Sequence, residues 1–203
     1  MSNPSIQPSD RNQPKSWIHL ADVPTIAWKN GGGFTCELLA WPHPENWVVR
    51  ISVAVIDKSG PFSIFSGVRR WFGVLTGAGV RLSSGGYTSV IAQDTPLFQF
   101  DGGLPHHCDL VAGSTSDFNL MVKASDAQCH VQRITGVCVV EPRSRSLVAV
   151  YANSDQTTVE FADGGSEPLR LMQGDLYWRI VNRGDARWRV SSQNAICLEV
   201  TID

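Results

Sequence analysis

Hydrophobic and polar residues alternate along most of this chain in short runs of period two, and no long stretch carries a period of 3.6. That alternation puts one row of side chains on each face of an extended segment and predicts strands rather than helices. Trp47 to Ile56 is the clearest case, with Phe34 to Trp41 before it. Trp71 to Thr76, Tyr87 to Ala92, Leu97 to Phe100 and Asp117 to Lys123 continue the series. Ser146 to Tyr151, Thr157 to Phe161, Leu176 to Val181, Trp188 to Ser191 and Ala195 to Ile202 complete it. Gly, Pro, Asn and Asp punctuate the intervals. Many short strands divided in this way predict an all-β sandwich or barrel with few helices.

The two halves share one rhythm: an apolar strand, a Gly or Asn turn, a short strand, a Gly-Asp-like turn and an aromatic-rich strand. The repeat predicts two stacked jelly-roll units. Residues 16–135 are expected to form the first and 136–203 the second, as a scaffold or dimer surface. Residues 1–15 are polar and proline-rich and are expected to be a disordered tail.

Two of the strands allow their faces to be compared. If Pro42-His43-Pro44-Glu45 closes a hairpin, Trp41 lies opposite Asn46, Glu37 opposite Arg50 and Thr35 opposite Ser52. One face then carries Thr35, Glu37, Arg50 and Ser52. The other carries Phe34, Cys36, Leu38, Val49, Ile51 and Val53. In Asp117 to Lys123, Phe118, Leu120 and Val122 share one face, and Asp117, Asn119, Met121 and Lys123 the other.

Composition narrows the functions. A net charge of −2 offers no broad cationic field for nucleic acid or an anionic membrane. The apolar fraction of 42% is ample for a core. Five scattered cysteines without a C-x-x-C spacing fit reduced thiols better than a zinc site or redox motif. No signal-peptide pattern or membrane-length apolar run occurs, so a cytoplasmic protein is expected.

Chemistry concentrates in Trp28-Lys29-Asn30-Gly31-Gly32-Gly33-Phe34-Thr35-Cys36-Glu37. Consecutive glycines are costly unless the backbone needs positive φ or a close approach. The stretch reads either as a pocket wall or as a polar-flanked bend.

Three separate motifs then resemble the HutD/Ves family: W-K-N-G-G-G-x-T at Trp28 to Thr35, G-P-F-S-x-F-x-G-x-x-R from Gly60 to Arg70, and D-F-N-L-M from Asp117 to Met121. The resemblance runs over roughly residues 16 to 202. It implies a double cupin, two small β-barrels in one chain, and a link to histidine utilisation. HutD-type members are thought to sense or buffer a pathway intermediate, such as urocanate or formylglutamate. Ves-type members are tied loosely to cold response. The implied site matches Trp28, Lys29, Asn30, Thr35, Glu37, Arg70 and Asn119 of this chain; Arg50 is added by the face argument. Family members often carry an arginine pair after D-F-N-L-M, where this chain has Val122-Lys123-Ala124.

The five histidines, His19, His43, His106, His107 and His130, contain no H-x-H pair, so no metal and no other cofactor is expected. No G-x-S-x-G elbow occurs, and no histidine neighbours Ser52 or Cys36 in sequence. Two readings stay open. In one, Lys29, Arg50 and Arg70 supply charge to a small anionic metabolite. Asn30, Asn119 and the backbone N–H groups of Gly31, Gly32 and Gly33 then supply donors. In the other, Glu37 and Lys29 act as base and acid of a metal-free cupin enzyme on an imidazole or formamide compound.

Overall fold

The computed structural model describes residues 16–123, 127–142, 144–162, 165–185 and 187–202. The tail expected over residues 1–15 and the Ala124 position lie outside them. The alternating segments form antiparallel strands, and the described residues contain no α-helix, only two 3-10 turns at Leu20–Asp22 and Pro44–Asn46. In chain order the strands are β1 (Trp17–His19), β2 (Thr25–Ala27), β3 (Gly33–Trp41), β4 (Val49–Ile56), β5 (Gly60–Pro61) and β6 (Arg69–Thr76). They continue with β7 (Val80–Ser84), β8 (Tyr87–Ile91), β9 (Phe98–Asp101), β10 (His107–Leu110), β11 (Thr115–Val122) and β12 (Cys129–Val140). The last are β13 (Ser146–Ala152), β14 (Thr157–Phe161), β15 (Leu169–Leu171), β16 (Asp175–Val181) and β17 (Trp188–Thr201).

Three sheets result. A six-stranded sheet runs β2-β3-β4-β11-β6-β9, and a four-stranded sheet runs β5-β10-β7-β8. The third runs β1-β16-β13-β17-β14-β15, with β12 also on β17. The expected division at residues 135/136 therefore falls inside β12, and β1 pairs with β16 of the second unit.

Each apolar face finds its own core. Ile56, Phe72, Val74, Val80, Leu82 and Ile91 fill the first unit between its two sheets. Val148, Val150, Val159, Trp188 and Val190 fill the second. The largest cluster joins the units: Val49, Ile51, Val53, Phe118 and Leu120 pack against Leu147, Tyr151, Leu176, Trp178 and Leu198. The apolar hairpin face is therefore the seam between units, and its polar face looks into the first unit.

The hairpin register differs from the expected one. Trp41 pairs with Val49, because residues 42–48 form the connection and Val48 N–H closes on Trp41 O at 2.7 Å. A register irregularity between Glu37 and Leu39 then shifts the ladder back, so Glu37 lies opposite Ser52 and Thr35 opposite Ala54. The net slip at these positions is two residues. An even slip leaves every side chain on its own face, so the polar set stays together.

Candidate functional site

The site is built on the polar face of the six-stranded sheet, in three rungs. The first runs Arg50, Met121, Arg70, Phe100 across β4, β11, β6 and β9. The second runs Glu37, Ser52, Asn119, Phe72, Phe98. The third runs Thr35, Ala54, Asp117, Val74. A hollow of about 580 Å³ opens over the first two rungs. Its lining includes Trp28, Lys29, Asn30, Thr35, Arg50, Ser52, Arg70 and Asn119. Phe62 and Phe65, from the segment after β5, also line it, with Phe72 and Met121.

Arg70 is the central charge. It is only 7% exposed and makes no ion pair with any described carboxylate. Its guanidinium carbon lies 4.9 Å from the Phe100 ring centre, 5.1 Å from Phe62 and 5.7 Å from Phe65. Burial, and then the neighbouring Arg50, pull its pKa down to about 10, so it stays charged at neutral pH. Nε and Nη2 both donate to Asn119 Oδ1, at 3.3 and 3.1 Å. A Cβ on Gly102 would sit 3.0 Å from Arg70 Cδ and 2.9 Å from Val68 O, so only glycine lets that stem pack there.

Arg50 is neutralised instead. Its Nε lies 2.5 Å from Glu37 Oε2, a half-buried ion pair on a diagonal of the ladder. Glu37 is not itself among the lining residues. Lys29 is exposed at the rim.

The glycine loop shapes the wall rather than presenting donors. Gly31 N–H bonds Trp28 O at 2.9 Å, and Gly32 N–H bonds Asn30 Oδ1 at 3.0 Å. The amide groups of Gly31 and Gly32, expected to face an anion, are thus used within the turn, and Gly31, Gly32 and Gly33 do not line the hollow. Gly31 has φ +64°, and Gly33 is forced by close approach, since a Cβ there would lie 2.0 Å from Val55 O. Trp28 is tied to the strand by Nε1 donating to Thr35 Oγ1 at 2.8 Å.

Two further cations lie elsewhere. Lys123 sits over the Trp47 ring at 4.2 Å, away from the hollow. Arg69, next to Arg70 on β6, points to the opposite face. It is not solvated there, because it is half-buried and donates to Ala127 O beside Trp71.

Beneath the second rung lies Asp117, with no exposed surface. Oδ2 accepts from Thr115 Oγ1 at 2.8 Å, and Oδ1 has no partner. Burial raises its pKa to about 7 against that hydrogen bond. Among the described residues no group of three His, Cys, Asp or Glu side chains is placed to hold a metal ion. None of the described helices is long and apolar enough to cross a membrane.

Sequence reasoning missed the aromatic cage of Phe62, Phe65 and Phe100. The G-P-F-S-x-F spacing contains two of these residues, but nothing local shows that they close over an arginine.

Comparison with known proteins agrees with this architecture. The HutD family model matches residues 20–198. An uncharacterised 21.2 kDa protein in the hutC 3' region of Pseudomonas putida is 35% identical over 156 residues, 76% of this chain and 80% of that protein. Protein Ves of Cronobacter sakazakii is 31% identical over 170 residues, 78% of this chain and 93% of that protein. The solved structure of HutD from Pseudomonas fluorescens SBW25, in a formate condition, superposes with a TM-score of 0.79 at 28% identity. That match covers 91% of this chain and 97% of that one. Bacillus subtilis oxalate decarboxylase, at 11% identity, shares the fold alone, with a TM-score of 0.58 over 94% of this chain and 80% of that one. The fold is the expected all-β double cupin.

Proposed function

The chain belongs to the HutD family, and on that premise we propose that its first cupin unit is a receptor for a small anionic metabolite. That relation associates it with histidine utilisation. The proposed role is regulatory: occupancy of the hollow reports the level of a urocanate- or formylglutamate-like compound. One observation carries it. Arg70 is a buried guanidinium that faces a hollow and has no described carboxylate to balance it.

Burying an unpaired cation costs several kcal/mol, on the order of 3–5 when a partner is removed. A ligand carboxylate recovers that cost. Of the five N–H groups on a guanidinium, two are held by Asn119. The others remain for the ligand. Charge-assisted bonds of this kind are the strong ones. Phe62, Phe65, Phe72 and Trp28 give the body of the ligand an apolar, partly planar wall. Lys29 at the rim offers a second cation for a second carboxylate.

Calorimetric titration with urocanate, formylglutamate and formate tests the proposal. Binding of at least one, weakened about 10-fold or more in Arg70→Ala, is the expected result. No heat with any of the three, or equal affinity in the variant, overturns it.

A further inference from the structure

The floor of the hollow holds two polar groups beside Arg70 that make no bond within the fold. They lie side by side on the second rung, Ser52 on β4 and Asn119 on β11. Asn119 has one settled orientation, because Nε and Nη2 of Arg70 both donate to its Oδ1, at 3.3 and 3.1 Å. Turned over, the amide would set its own NH2 against a guanidinium that can only donate. The oxygen end is therefore committed to Arg70. The NH2 end has no hydrogen-bond partner among the described residues.

Ser52 is only 2% exposed and still lines the hollow. Its neighbour across the ladder on β3 is Glu37, but that carboxylate turns to Arg50 at 2.5 Å. Ser52 Oγ consequently makes no hydrogen bond to any described residue. Thr35 Oγ1, on the same face, is already taken by Trp28 Nε1 at 2.8 Å. On the other side of Asn119 the rung continues into Phe72, which offers only an apolar wall. Enclosed polar groups are normally paired, so two unused ones together mark a place where a ligand atom fits.

The lining decides what that atom can be. Lys29, Arg50 and Arg70 line the hollow, and among the described residues no aspartate or glutamate does. The Arg70 N–H groups and the Asn119 NH2 only donate, and the Ser52 hydroxyl can join them. A ligand atom at this spot must therefore accept hydrogen bonds. An ammonium on the carbon next to the ligand's carboxylate would meet donors, a buried guanidinium and no counter-charge. An acyl group on the same nitrogen removes the charge and supplies a carbonyl oxygen.

Resting on the reading of the hollow as an anion receptor, we infer that Ser52 and the NH2 end of Asn119 form a neutral oxygen subsite beside Arg70. The subsite selects acids that carry an acyl oxygen next to the carboxylate and rejects free α-amino acids. Ser52 is its specificity-determining residue. A ligand without the oxygen leaves both buried groups unpaired, the kind of mismatch that discriminates sharply.

The test compares three acids with the same two carboxylates: formylglutamate, glutarate, which lacks the nitrogen, and glutamate. Calorimetric titration of the full chain should give formylglutamate an affinity about 10-fold or more above glutarate, with glutamate the weakest. Ser52→Ala should lower the formylglutamate affinity about 5-fold or more and leave glutarate within about 2-fold of its wild-type value. Formylglutamate no tighter than glutarate, or glutamate as tight as formylglutamate, overturns the subsite. An unchanged formylglutamate affinity in Ser52→Ala, or an equal loss for formylglutamate and glutarate, does the same. In each of those cases Arg70-dependent binding of glutarate or urocanate leaves the receptor reading standing. Absence of heat with all four acids removes both. The wild-type ranking decides the outcome even where Ser52→Ala fails to fold.

Discussion

Arg70 and Asn119 are locked across neighbouring strands, two guanidinium N–H groups of one donating to the same side-chain oxygen of the other at 3.3 and 3.1 Å. The bond turns the guanidinium plane without neutralising it, since an amide oxygen carries no charge. The cation is fixed in direction before any ligand arrives, which lowers the ordering cost of binding.

Asn119→Asp follows from that relationship. A carboxylate at the same distances would pair with Arg70 and cancel the charge facing the hollow. Anion affinity should fall by about 2 kcal/mol or more, the scale of a lost charge-assisted bond. Thermal stability should hold or rise. Titration calorimetry beside a thermal melt checks both, and affinity equal to wild type would show that the Arg70 charge is not used.

Glu37→Gln separates binding from catalysis. Glu37 neutralises Arg50 across 2.5 Å and does not line the hollow. Losing the half-exposed pair should cost about 1 kcal/mol of stability. It adds net positive charge beside the site, so anion affinity should rise a few-fold. A turnover that exists in wild type and disappears in this variant would instead make Glu37 a base.

Two glycines in the loop should respond unequally to alanine. Gly31 needs a positive φ but has open space, so Gly31→Ala should cost about 1 kcal/mol. A Cβ at Gly33 would lie 2.0 Å from Val55 O, so its alanine must move backbone and should cost roughly 3 kcal/mol or more. Denaturant unfolding of the two variants compares them directly, and equal losses would contradict the close-approach argument.

Asp117 should make the fold less stable as pH rises. Its pKa is raised from 3.8 to about 7 in the folded chain, so between those values the unfolded chain gives up a proton that the folded chain keeps. The destabilisation is absent below about pH 4, grows towards pH 7 and then levels off. Asp117→Asn keeps an acceptor for Thr115 and removes the titration. Its stability gain over wild type should be larger at pH 8 than at pH 5, by an amount on the order of 2–4 kcal/mol at about 1.4 per unit. Parallel melts at the two pH values measure it, and a pH-independent difference would refute the burial argument.

Period-two alternation is enough to read the strands, the all-β class and the membership of each face. Backbone geometry turns successive side chains to opposite sides wherever the strand lies. Alternation by itself puts Asn119 on the face of Asp117 and Met121, and Glu37 on that of Arg50; both hold even though the hairpin register slips by two. Tertiary structure alone decided which face became the seam between units and which faced a hollow. It also decided that Phe62, Phe65 and Phe100 close on Arg70 and that Asp117 lies without exposure. Those outcomes depend on loop lengths, bulges and the packing of segments far apart in the chain, and a local pattern of apolar and polar residues does not encode which distant partner fills the space.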